Sequence, residues 1–286
     1  MMSKLNGEIK STLFIKDIDL ELEKWIGKSL REDEAKNISD VEEVKFKSQF
    51  ETELHKLISM ADEINLYLDL DRNSVTTDDS VNHEFAKKMT CKYPQIRVCN
   101  IYKYIAKLRL VKSKEEIDKI REAIFITKSG IEMLMQNAKP GIKEYELEAY
   151  FDFACKTKGV KDLAFKTIAA GGKNATTLHY VSNSARLEKN DLILFDLGAQ
   201  YKYYNADITR TFPTNGKFTE RQKEVYNSVL KVNEEVMKLI KPGVKYKDVN
   251  DKATDLIAEE CIKLGLIRDK KDVRKYYYHS IGHSLG

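Results

Sequence analysis

Cysteine is scarce: Cys91, Cys99, Cys155 and Cys261 are the four among 286 residues. No two of them stand in the C-x-x-C spacing of a zinc site, and their density is far below that of a disulfide scaffold. They read as reduced thiols of a cytoplasmic protein. Long apolar runs are missing too. None approaches the roughly 18 residues that a membrane-spanning helix needs, so no membrane partner is expected. The opening MMSKLNGEIKST has no apolar stretch of the kind a secretory signal carries. Charge of one sign is lacking as well. The 49 basic and 45 acidic residues leave +4, spread along the chain rather than gathered in a block, which gives no reason to expect nucleic acid.

Hydrophobic residues make up 42% of the chain and charged residues 33%. That is enough to build a core under a Lys- and Glu-rich surface, and it excludes disorder. The length suits one large domain or two ordinary ones. The first third patterns as a small α/β unit. It has an apolar stretch at Ser11–Ile15, a strand or short helix at Ile18–Ile26, a helix over Val44–Ala61 and an alternating strand at Ile64–Leu70. A short helix follows at Glu84–Met89, then a stretch broken by Pro94 and a helix from Asn100 to Lys107. Ser113 with Glu116 three residues on is a capping box, the mark of a new helix. A domain boundary is placed near Leu108–Lys112, giving domains 1–108 and 109–286.

The second domain contains an internal repeat. AKPGIKEYELEAYFDFACKTKG and IKPGVKYKDVNDKATDLIAEECIKLG align with an offset of 102 when Lys139-Pro140-Gly141 is laid on Lys241-Pro242-Gly243. Each copy reads as a long amphipathic helix, a K-P-G stop and a second helix, since Pro lacks the N–H and Gly accepts positive φ. Two copies are too few for a solenoid and suit a domain with a pseudo-two-fold axis.

Between the copies, Leu192–Ala199 and Asn205–Phe212 pattern as antiparallel strands. Asp196 and Asp207 are eleven residues apart. A turn centred between Tyr201 and Lys202 would set them directly opposite, with Cβ atoms about 4.5–5.5 Å apart. Carboxylates that close repel unless one is protonated or a cation lies between them. Two divalent ions about 3.5–4 Å apart would fit. From spacing alone, a pair of exposed carboxylates beside a turn is an equal alternative. His279 and His283 lie in the C-terminal HSIGHSLG, whose glycines favour a loop. By itself that pair is more ordinary as two surface histidines, and the lone His179 more ordinary as a histidine at a strand end.

Taken together, FDLGAQYKYYNADITRTFPTNGKFTERQKEVY, TLHY, the two K-P-G turns and HSIGHSLG resemble the metallopeptidase family of aminopeptidase P, prolidase, creatinase and methionine aminopeptidase. They run in the family's order over residues 108–286. The N-terminal TLFIKDIDLELEKWIGKSL is similar to the smaller N-terminal domain of aminopeptidase P, entered partway. The resemblance implies an α/β (α+β) chain: a partial N-terminal α/β domain, then an incomplete pita-bread domain whose pseudo-symmetry accounts for the repeat. It implies two divalent metal ions, with manganese expected. Asp196 would hold one ion, Asp207 would bridge both and His283 would bind the other. His179 would face the scissile peptide, and His279 would line the pocket for the proline side. Thr209, on the strand face of Asp207, would support the ligands. The implied substrate is a peptide with proline at its second position, cleaved before that proline. A homo-oligomer would be in keeping with the family.

The family completes its site with two glutamates and a further histidine beyond the position of His283, whereas this chain stops at Gly286. The resemblance therefore makes the chain an incomplete, inactive piece lacking the sheet's closing strands. An Xaa-Pro dipeptidase (prolidase), a creatinase-like amidinohydrolase and a non-catalytic pita-bread binding module stand as alternatives. The intact Asp196, Asp207 and His283 set argues against the last two.

Overall fold

The computed structural model describes residues 1–283 and divides into two compact units, Met1–Leu108 and the chain from Arg109 onward. The first unit starts with strands β1 (Met2–Leu5) and β2 (Glu8–Ile15), an antiparallel pair. Helix α1 (Leu20–Ile26) follows, capped by Asp19, whose carboxylate accepts from the amides of Glu21 and Leu22 at 3.0 Å each. Helix α2 (Glu32–Ser39) leads to strand β3 (Glu43–Phe46), which pairs in parallel with β2, Thr12 opposite Glu43 and Ile15 opposite Phe46.

This strand corrects the helix expected over Val44–Ala61. Its first three residues belong to the sheet, and the helix α3 covers only Phe50–Ser59. A four-residue strand is too short to show a period. The boundary is marked instead by Gln49, whose side chain accepts from the Phe46 amide at 2.8 Å and starts the helical turn. The unit continues with β4 (Ile64–Leu68), α4 (Val81–Lys92) and β5 (Ile96–Asn100), in which β4 and β5 pair in parallel. Ile58, Met89 and Ile96 form its small core. The division between units falls within helix α5 (Tyr102–Leu110).

In the second unit, Ser113 caps helix α6 (Lys114–Asn137). The Glu116 amide donates to the Ser113 hydroxyl, and the Ser113 amide donates back to the Glu116 carboxylate at 2.6 Å. Helix α7 (Glu144–Thr157) packs against α6. Strands β6 (Ile168–Gly171), β7 (Leu192–Leu197), β8 (Gln200–Tyr201), β9 (Tyr204–Asn205) and β10 (Ile208–Pro213) come next, then helices α8 (Glu220–Met237) and α9 (Tyr246–Lys263). The repeat is therefore a pair of helical hairpins, α6–α7 and α8–α9. Gly141 and Gly243 stand at φ +90 and +89 in the two K-P-G turns, the left-handed conformation that glycine adopts without a Cβ penalty.

A three-stranded antiparallel sheet, β10–β7–β6, lies at the centre of this unit. Ile193, Phe195 and Leu197 of β7 pack with Ile126, Leu134, Leu147 and Phe151 of α6 and α7 into the main core. On β7, core residues therefore alternate with Leu194 and Asp196, which are only partly covered. That alternation delivers Asp196 to the face opposite the helices' core.

Candidate metal centre

The hairpin carrying the two aspartates turns at Lys202–Tyr203, both with positive φ (47 and 71), the two-residue turn whose twist matches paired strands. The turn lies one residue later than the one that would align the carboxylates, and this sets the register. Asp196 faces Thr209, not Asp207. Asp207 falls two residues along, on the same face and diagonal to Asp196, a separation still bridged by side chains.

The ladder breaks at this point and resumes in the same register beyond it, Gln200 opposite Asn205. At the break, Gly198 lies so close to the facing strand that a Cβ built on it would sit 1.8 Å from the Ala206 carbonyl oxygen. The Ala199 amide, freed from regular pairing in the buried interior, donates to the Thr127 hydroxyl of α6 at 2.9 Å, and that hydroxyl donates to Ala123 O at 2.8 Å. Helix α6 thus fixes the bend that aims Asp207.

Burial pushes the Asp196 carboxyl above its ordinary value. The Thr209 hydroxyl, donating to Oδ1 at 2.9 Å, works against that rise, the negative Asp207 adds to it, and the His179 imidazole nearby favours the ionised form. Two carboxylates in this setting form a site short of positive charge. Asp207 Oδ2 lies 3.1 Å from His283 Nε2. Among the described residues, no three His, Cys, Asp or Glu side chains converge tightly enough to enclose an ion. Even so, carboxylate oxygens and an imidazole nitrogen are the donor types that hard-to-borderline divalent ions take. The desolvated Asp196 is the kind of group a cation would compensate, so the side chains fit a divalent metal in type and in charge.

The other two histidines expected at the site, His179 and His279, occupy separate segments. His179 is exposed on the stretch between β6 and β7. Beneath that stretch lies Glu144, fully buried at the start of α7, its carboxylate accepting four hydrogen bonds. Gly171 N and Asn174 Nδ2 reach Oε1 at 2.8 and 2.9 Å, while Tyr180 OH and Ala185 N reach Oε2 at 2.8 Å each. Leaving one buried donor of this kind unpaired costs about 1–3 kcal/mol. His279 is held within its own segment, Nδ1 donating to Ser280 O at 2.7 Å and the ring standing 4.8 Å from that of Tyr277. The two segments meet where Tyr278 OH donates to Thr176 O at 3.3 Å. The last three residues of HSIGHSLG, Ser284 to Gly286, lie outside the described residues.

Asp207 and His283 open onto a cleft of about 630 Å³ within this unit, lined also by Arg109, Lys112, Glu116, Lys202 and Tyr204. Tyr204 OH donates to Glu116 Oε1 at 2.9 Å. Apart from Asp207 and His283, the cleft-lining residues, like Glu144, are not marked as site residues by the sequence. Glu116 was legible only as a helix cap, and Glu144 carries no local signal, being one of several acids in the first turn of a helix.

Paired acidic side chains on a strand hairpin, with an imidazole at one of them, are the oxygen and nitrogen donors of a divalent-metal site. The chain belongs to metallopeptidase family M24, in its aminopeptidase P branch: the M24 family model matches residues 118–286, and the model for the aminopeptidase P N-terminal domain matches residues 2–67. The Xaa-Pro aminopeptidase of Escherichia coli K12 is 30% identical over 289 residues, covering 96% of this chain and 64% of that protein. Xaa-Pro aminopeptidase 3 of Dictyostelium discoideum is 36% identical over 219 residues, covering 71% of this chain and 42% of its own length. The chain thus spans less than two thirds of these relatives. A solved Bacillus anthracis structure assigned to aminopeptidase P superimposes over 100% of this chain and 68% of its own, at 43% identity and a TM-score of 0.96. Escherichia coli aminopeptidase P with the inhibitor Pro-Leu matches at 30% identity and a TM-score of 0.83, over 96% of this chain and 64% of that one. Family membership brings divalent metal ions with it. Among the described residues, no helix is long and apolar enough to cross a membrane.

Proposed function

We propose that this chain contributes to cleavage of the peptide bond between an N-terminal residue and a following proline, with residues 1–108 forming the N-terminal domain and the remainder the metallopeptidase domain. The observation that carries this reading is the Asp196–Asp207–His283 arrangement on the β7–β10 hairpin and its neighbouring segment, in a family whose relatives are named Xaa-Pro aminopeptidases. Asp196, Asp207 and His283 would hold divalent ions, manganese being the expected metal. Such ions supply Lewis-acid polarisation of the peptide carbonyl and lower the pKa of water.

The remaining work falls to the protein's own side chains. Thr209 holds the Asp196 carboxylate in one orientation through its hydrogen bond. His179, exposed and close enough to Asp196 to influence its carboxyl, would donate to the carbonyl of the bond being cut. His279, standing against Tyr277 and Tyr278, offers an aromatic-lined wall for the proline ring. The substrate is a peptide with proline second, the location is the cytoplasm, and a homo-oligomer is the expected assembly.

The reading is tested by release of the N-terminal residue from an Xaa-Pro-Xaa tripeptide with and without manganese, alongside Asp207→Ala. Metal-dependent release that disappears in the variant would bear the reading out, and metal binding without release would match the inactive piece that the resemblance implies. Release that survives in the variant, equal cleavage of Xaa-Ala-Xaa, or no binding of divalent metal would overturn it.

A further inference from the structure

The two helical hairpins of the repeat do more than resemble each other. Helix α7 begins at Glu144 and helix α9 at Tyr246, 102 positions on. Glu148 and Asn250, one turn into each helix, are related by the same offset. All four side chains reach to a histidine-bearing segment. In the first half, Glu144 takes its four hydrogen bonds from Gly171, Asn174, Tyr180 and Ala185, on both sides of His179. Glu148 Oε2 accepts from Asn183 Nδ2 at 2.9 Å. In the second half, Tyr246 OH donates to Gly282 O, and Asn250 Oδ1 accepts from the Ile281 amide at 3.2 Å. Gly282 adjoins His283, and Ile281 lies between His279 and His283.

Each pair is one helical turn apart and so shares a face of its helix. The chemistry differs between halves while the placement does not. Glu144 and Glu148 act only as acceptors, Tyr246 donates and Asn250 accepts. Unlike residues at equivalent positions performing one task are not explained by helix capping, because none of these bonds closes on its own helix.

We propose that positions 144 and 148 in one half, and 246 and 250 in the other, are repeat-related clamps that set where the two histidine-bearing segments sit. They are positioning residues: they act on His179, His279 and His283 through the backbone that carries them. What those histidines then do to a peptide rests on the function proposed above, but their placement does not, and the experiment reads placement alone.

The full chain, labelled with ¹⁵N, gives imidazole signals for five histidines, His55, His83, His179, His279 and His283, assigned by single His→Gln changes. The clamps predict a crossed pattern. The double variant Tyr246→Phe with Asn250→Ala shifts and broadens His279 and His283 and leaves His179 nearly in place. Glu144→Gln, which turns a four-fold acceptor into a group with a donor facing donors, shifts His179 and leaves His283 nearly in place. His55 and His83, in the other unit, stay fixed in both. If Glu144→Gln does not fold, Glu148→Ala and Tyr180→Phe carry the same readout for the first half. The proposal is overturned if either folded variant moves both sets equally or leaves its own set unmoved. A chain that shows the crossed pattern yet binds no divalent metal would retain the clamps and lose the metallopeptidase reading.

Discussion

Thr209 stands directly across the ladder from Asp196 and donates its hydroxyl to Asp196 Oδ1 at 2.9 Å. Thr209→Val keeps the branched shape and removes that donor, so the carboxylate loses its fixed orientation. Groups that orient a metal ligand typically account for about 10–100-fold in affinity. Manganese titration followed by calorimetry should show a loss of that size in Thr209→Val and loss of binding in Asp207→Ala. Unchanged affinity in the valine variant would remove Thr209 from the site.

At Gly198 the facing strand leaves no room for a methyl group, because the obstacle is the Ala206 backbone carbonyl and not a flexible side chain. Gly198→Ala forces the strands apart next to Asp207. Overpacking of this kind costs about 1–3 kcal/mol, occasionally more. Urea unfolding should place the variant's midpoint well below that of the parent, and manganese should rescue it poorly because the displaced strand carries Asp207. A variant as stable as the parent would contradict the close approach.

Glu260 of α9 lies 2.7 Å from Lys263 and 2.9 Å from Lys231 of α8, which together hold its carboxyl at about 2 against an ordinary 4.5. A carboxyl lowered by folding stabilises the native state above its unfolded value and loses that contribution as pH falls from 4.5 towards 2. Both lysines are more than half exposed, so solvent screening brings the contribution to about 1 kcal/mol. Glu260→Gln should therefore be less stable than the parent at pH 7, with the gap closing on acidification. A gap that persists undiminished at the acid end would assign the effect to packing.

The thiols should separate cleanly by reactivity. Burial pushes Cys155 up to about 12 and raises Cys261 as well, whereas Cys91 is exposed. Since the thiolate is the reactive form, a disulfide reagent at pH 8 should label Cys91 within the mixing time. Cys155 and Cys261 should react only when urea opens the second unit. Prompt labelling of Cys155 would show that the helix packing around it opens in the native state.

The helical repeat, the capping box at Ser113 and Glu116 and the aspartate hairpin were all legible in the sequence because each rests on a local rule: a Pro-Gly stop, a Ser with a Glu three residues later, an alternation of apolar and polar residues. The register of the hairpin was not legible. It turns at Lys202–Tyr203, and neither residue is one of the glycines or asparagines that normally mark such a turn, so the turn could be placed one residue early. The short strand at Glu43–Phe46 was hidden for a related reason: its partner is distant β2, and four residues carry too little pattern to outweigh the helix that follows. Glu144 and Tyr246 escaped notice because their hydrogen bonds reach residues 27 to 41 positions away, beyond any window in which sequence alone shows a relationship.

The Lys202–Tyr203 turn has a further consequence. Non-glycine residues in the left-handed region cost roughly 1–2 kcal/mol each, so Asn-Gly at the tip would make a sturdier hairpin. It would also strip a cation and an aromatic ring from the wall of the cleft, which both residues line. Directed evolution under heat alone should therefore drift towards Asn-Gly at this tip, while selection for turnover should hold the native pair. The divergence between two such lineages would reveal what the tip is kept for.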